Sequence, residues 1–190
     1  MVDEYTWEPL EGVIVTANWE LDSGHTSAGQ MMVMETVTDV TGRFFFPAWG
    51  PKPRPPEGYL HNDDPGLLLF KSGYKYLGLA NRLTEKPNPS PLRRSDWNGQ
   101  TIKLKKFEGS LEEYAKHLGH LNTSLSFATG GWVKDCEWKQ IPRMLAAMHL
   151  EKMRFKEKGI SNHIYLAPID TMPNQTQCGS AQEFFRSYIP

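Results

Sequence analysis

The sequence predicts a mainly β fold, a sandwich of short strands, followed by an α-helical C-terminal extension. Three observations lead there. Apolar residues alternate with period two in 10–20 and 31–38, Gly- and Pro-rich stretches separate short β-favouring runs, and at Gly109 the period changes to that of a helix.

In residues 10–20, Val13, Val15, Ala17 and Trp19 fall on one face and Thr16, Asn18 and Glu20 on the other, the pattern of a half-buried strand. A turn over 23–29, rich in Gly and Ser, leads to a second strand at 31–38, with Met31, Val33 and Val37 opposite Met32, Met34 and Thr36. Asp39-Val40-Thr41-Gly42 supplies the next turn, and Arg43-Phe44-Phe45-Phe46 reads as a third strand on β-favouring aromatics. A Pro-rich loop spans 47–66. Leu67–Lys71 and Tyr74–Ala80 read as strands around the turn Ser72-Gly73, and a last strand covers 100–105 after a second Pro-rich stretch. These elements place a β region at 1–106 and a helical extension, expected to pack on it, at 108–190.

In that extension, Ser110 with Glu113 three residues later is a capping box. Leu111, Tyr114, Ala115, Leu118, Leu121, Asn122 and Leu125 recur at helical spacing. A second helix is expected from Pro142, carrying Met144, Leu145, Met148, Met153 and Phe155 inward, and stopped by Gly159. A third, capped by Ser180 with Glu183, should bury Phe184, Phe185 and Ile189.

The 190 residues carry 21 Lys+Arg against 22 Asp+Glu, which lacks the basic excess of a nucleic-acid-binding surface. No apolar run approaches the ~18 residues that cross a bilayer. Two cysteines, Cys136 and Cys178, are expected to form a disulfide, because Cys178 lies in a polar stretch with few apolar neighbours to bury a thiol. That pairing points to the periplasm or a secreted location, and two reduced thiols would point to the cytosol. Met1-Val2-Asp3 carries neither a basic nor an apolar leader segment, so an envelope location calls for a signal or anchor upstream.

Three stretches together resemble the carboxypeptidase regulatory-like domain, a Greek-key β-sandwich of the transthyretin type. Pro9-Leu10-Glu11-Gly12-Val13-Ile14-Val15 is similar to the family's proline-leucine-x-glycine-valine-x-valine segment. Thr38-Asp39-x-x-Gly42-x-Phe44-x-Phe46 is similar to its threonine-aspartate hairpin, and Ser72-Gly73-Tyr74 to its glycine-tyrosine turn. Independently of the resemblance, Phe44, Phe46 and Tyr74 are expected to fill a sandwich core. The resemblance covers about residues 2–105. It departs in its long Pro-rich loops and in the short stretch before Pro9. It implies an accessory domain without chemistry of its own, most like bacterial envelope proteins carrying one such domain.

Candidate chemistry is sparse. Glu113, His117 and His120, four and three residues apart on the first helix, could present two nitrogens and a carboxylate to Zn²⁺, or could be ordinary residues of a solvated face. Around Tyr59 and His61, an iron site would need a second histidine where Asp63 stands. No cofactor is expected. The stronger candidate is a contact region on the loop, comprising Trp49, Tyr59, His61, Asn62, Asp63 and Asp64, since loops on a rigid scaffold carry recognition residues. Trp49 could instead fold back as an anchor on the sheet edge. The expected function is a non-catalytic binding protein of the bacterial cell envelope with a protein or glycan partner. A metal-dependent enzyme on the same scaffold is the alternative, and an immunity or inhibitor protein with an acidic tip at 62–64 is a second one.

Overall fold

The computed structural model describes residues 1–24, 26–53, 56, 58–60, 65–80, 95–130, 136–161, 166, 169, 172 and 176–189. Among the described residues, seven strands precede four α-helices: β1 (Val2–Asp3), β2 (Ile14–Asp22), β3 (Ser27–Val37), β4 (Tyr59–Leu60), β5 (Gly66–Phe70), β6 (Leu77–Leu79), β7 (Lys103–Leu104), α1 (Leu111–Ser124), α2 (Ser126–Thr129), α3 (Pro142–Glu157) and α4 (Ala181–Phe185). The chain divides into two compact units, one of Met1–Leu69 with Leu77–Leu104, the other of Phe70–Tyr76 with Lys105–Pro190. The turn segment after β5 thus groups with the helices rather than with the β region.

In the first unit a mostly antiparallel sheet runs in the order β3-β2-β5-β6, with β4 paired to β2, and a separate parallel pair joins β1 to β7. The predicted alternation of β2 holds, with Val15, Ala17, Trp19 and Leu21 buried on one face. Thr16 on the other face is buried too. The register places Met34 opposite Ala17 and Met32 opposite Trp19, so these methionines share the face of the buried apolar set. Strand β3 begins four residues earlier than its alternation predicts. Strand β2 ends at Asp22 and β3 begins at Ser27, and between them the Ser23 N–H donates to the Thr26 carbonyl.

Two of the three segments that carry the resemblance interlock, those around Leu10–Val13 and Thr38–Gly42, whereas Ser72-Gly73-Tyr74 falls in the other unit. The Thr38 hydroxyl accepts from the Val13 N–H at 2.8 Å and donates to the Leu10 carbonyl at 2.6 Å. The Gly12 N–H donates to the Thr38 carbonyl, and the Thr38 N–H to that of Val13. Asp39 Oδ1 collects the Thr41 and Arg43 N–H groups and the Thr41 hydroxyl, which holds its carboxyl below the usual carboxylate range. Gly42 adopts φ 72°, and a Cβ there would run into the Met1 carbonyl oxygen, so the turn requires glycine twice over.

Past this turn the expectation fails, because Arg43–Phe46 is not a strand. The Asp39 N–H donates to the Arg43 carbonyl, closing the loop beyond the end of β3. Phe44 and Phe46 pack edge to face on each other at 5.9 Å, half-exposed, and Phe45 is 74% exposed, so neither Phe44 nor Phe46 fills a core. Aromatic β propensity reflects packing against paired neighbouring strands, and among the described residues no strand pairs with Arg43–Phe46. The strands expected at 74–80 and 100–105 shrink to β6 and β7, and Tyr74 is buried next to an isolated bridge to Lys106.

The second unit follows its helical signals closely. Ser110 Oγ accepts from the Glu113 N–H and Glu113 Oε2 from the Ser110 N–H, the reciprocal box that starts α1. Pro142 opens α3, and Met144, Leu145, Met148 and Phe155 are buried as expected. Met153 is 39% exposed instead, because the inward row runs 144, 148, 151, 155 and gives its third place to Glu151. Tyr114 of α1 meets Phe155 of α3 edge to face at 5.8 Å. Phe185 of α4 is buried beside Trp138, while Phe184 and Ile189 stay half-exposed. Cys136 and Cys178 form the expected disulfide, their Cα atoms 5.6 Å apart. It ties the segment leading into α3 to the approach of α4.

Candidate functional site

Of the predicted contact residues, Trp49 and Tyr59 lie in the described structure, and His61, Asn62, Asp63 and Asp64 lie outside the described residues. Trp49 is seated edge-on against Trp19 of β2, ring centroids 5.2 Å apart, and remains half-exposed. The Lys52 ammonium sits 5.7 Å from the Trp49 centroid, within cation–π range. The loop aromatic is therefore both an anchor and an accessible ring. Trp49 thus rests on a side chain of a paired strand.

Tyr59 reaches the same sheet by another route. Strand β4 places Tyr59 opposite Asp22 and Leu60 opposite Leu21, at the end of β2 beyond Trp19. Gly58, just before it, is buried. A Cβ there would lie 3.0 Å from Leu21 Cβ and 3.3 Å from Ala28 Cβ, closer than a side chain tolerates without displacement. The backbone just before β4 thus presses on β2 and β3, and Tyr59 follows it with 38% of its surface exposed. Sequence reasoning found both aromatics but missed Lys52 and Gly58, for which the only cue was their place within the loop.

The three helix residues considered for a metal are each engaged differently. Glu113 closes the capping box. His117 Nε2 accepts from the Tyr76 N–H at 3.1 Å, with its ring flanked by Tyr76 at 4.6 Å and Phe107 at 5.4 Å. Burial, and then the charges of Lys75 and His120, push its pKa below the ordinary histidine value. His120 is exposed on the next turn. Among the described residues no group of three or more His, Cys, Asp or Glu side chains is placed to hold a metal ion.

A polar cluster that sequence reasoning missed surrounds Glu151. Only 5% exposed, this carboxylate takes the Ser72 hydroxyl on Oε1 and pairs with the Arg154 guanidinium at 2.8 Å through Oε2. Beside it the Tyr114 hydroxyl accepts from the Gly73 N–H at 2.8 Å, and burial, with Glu151 second, pushes the phenol up to about 12. Every partner here is a turn or helix residue of the same unit, so the cluster fastens the Ser72–Gly73 turn to α1 and α3. The only sequence cue was the helical spacing that puts residue 151 on the apolar row.

No family model, no curated protein and no solved structure compared with the chain matches it. Among the described residues no helix is long and apolar enough to cross a membrane.

Proposed function

We propose that the chain is a non-catalytic accessory protein of the bacterial cell envelope that binds a protein or glycan partner through the Pro-rich segment 47–66. Its β region is read here as a transthyretin-like Greek-key sandwich of the carboxypeptidase regulatory-like type. The observation that carries the reading is the pair Trp49 and Tyr59: two accessible aromatic rings, each fixed to the same sheet, one through Trp19 and the other through β4. Pre-positioned aromatic side chains supply contact area at little entropic cost, which is why they dominate recognition surfaces. The interlocked Leu10–Val13 and Thr38–Gly42 segments support the family reading, since the residues shared with it serve one another. The Cys136–Cys178 disulfide supports an oxidising compartment.

The test is a Trp49→Ala/Tyr59→Ala variant with an unchanged circular dichroism spectrum, immobilised beside the wild type and challenged with an envelope fraction and with a glycan array. Loss of two central aromatics should weaken retention of any specific partner by at least about tenfold. Equal retention of every partner by both proteins would refute a contact through 47–66.

A further inference from the structure

The two edges of the five-stranded sheet are very different. At one end β6 has three residues, the short edge that soluble proteins ordinarily present. At the other end β3 has eleven, about twice the usual strand length. Among the described residues β2 is the only strand that pairs with β3, and no turn or loop hydrogen bond reaches Met31–Met34. Of the devices that normally blunt an edge, proline and basic side chains are absent from β3, which contains no Pro, Lys or Arg and one charged residue, Glu35. The register shifts fall between Trp19 and Glu20 and between Leu21 and Asp22, so they bend the Ser27–Met31 end and leave Met32–Val37 in regular register. Met31, Met32 and Met34 are half-exposed although Met32 and Met34 share the face of buried Ala17 and Trp19.

An edge of this kind offers backbone donors and acceptors at strand spacing, which only another extended polypeptide matches. We propose that β3 pairs antiparallel with β3 of a second copy of this chain, joining two five-stranded sheets into one. A two-fold axis perpendicular to the sheet at Met34 sets Met34 against Met34, Val33 against Glu35 and Met32 against Thr36. The one charge then meets an apolar residue instead of its own copy, and the regular part of the strand is used in both chains. The same axis keeps the apolar face of each sheet on one side, so Met32 and Met34 of both copies extend a single surface. This interface lies on β3 and does not require the segment 47–66 to bind anything.

Sedimentation velocity from about 1 to about 200 μM, the range over which weak dimers assemble, should show a shift towards twice the 21.7 kDa of one chain. Met34→Lys places two ammonium groups face to face and should weaken association at least about tenfold, while Phe45→Lys, on the irregular segment, should leave it unchanged. Met34→Cys, a milder change, should cross-link to a dimer under oxidation, because residues opposite each other across an antiparallel pair lie about 4.5–5.5 Å apart. A single-chain mass at the highest concentration, a dimer indifferent to Met34→Lys, or no Met34→Cys cross-link would overturn the proposal.

Discussion

Replacing the Thr38 hydroxyl with a methyl group in Thr38→Val should cost the first unit about 2–3 kcal/mol. Thr38 is buried, and so are the two residues its hydroxyl serves, Val13 and Leu10. Valine occupies nearly the same volume, so the cavity term is small, but the Val13 N–H and the Leu10 carbonyl both lose their partner in a place water does not reach. Each stranded group costs about 1–3 kcal/mol, and taking about 1.5–2 kcal/mol for each, less about 0.8 kcal/mol for the added buried methyl, leaves about 2–3 kcal/mol. In urea, with a slope of about 2 kcal/mol/M, the unfolding midpoint should fall by about 1–1.5 M. The assay is urea unfolding followed by tryptophan fluorescence, with amide exchange at Val13 as a local probe. Thr38→Ser keeps the hydroxyl and loses only a methyl, so it should sit well above Thr38→Val. If Ser and Val variants unfold together, or Thr38→Val moves the midpoint by less than about 0.25 M, then the hydroxyl does not hold the two segments together.

Two further outcomes concern the helical unit. Cys136→Ala/Cys178→Ala opens a loop of 42 residues, for which the chain-entropy relation gives about 4 kcal/mol of lost stability. Calorimetry showing a loss under about 1 kcal/mol would mean the helices hold these segments together without the bond. His117 titrates below its ordinary value when folded, so between the two values the unfolded chain binds the extra proton, and stability falls as pH drops from about 7 through 6.5. Replacing it in His117→Gln should flatten the dependence of the urea midpoint on pH between about 7.5 and 5, and superimposable wild-type and variant profiles would contradict this assignment.

Much of the architecture was legible residue by residue because the signals were local. The Ser110–Glu113 box, Pro142 at the first turn of α3, Gly159 after its end and the alternation of β2 each concern groups a few positions apart, and all are found where the spacing places them. The expectation failed at Arg43–Phe46, where among the described residues strong β formers pair with no strand. It also failed at Met153, where the inward place belongs to a carboxylate that no hydropathy pattern would bury. For the contact region, residue type was enough to single out Trp49 and Tyr59, but not to decide what each rests on. Trp49 rests on Trp19, 30 positions away in sequence, and β4 on Leu21 and Asp22.

The sequence by itself determined a β region before a helical one, the caps and stops of the helices and the pairing of its two cysteines. Each depends on backbone propensity, short-range spacing or the presence of a single possible partner. Only the tertiary structure decided that Phe70–Tyr76 groups with the helices and that β3 forms an eleven-residue edge. It alone seated Trp49 on the sheet, occupied His117 with a backbone amide, and surrounded a buried Glu151 with Ser72, Arg154 and Tyr114. These depend on which distant groups meet once the chain is compact, and a polar side chain gives the same one-dimensional signal whether it faces water or a partner brought from 79 residues away.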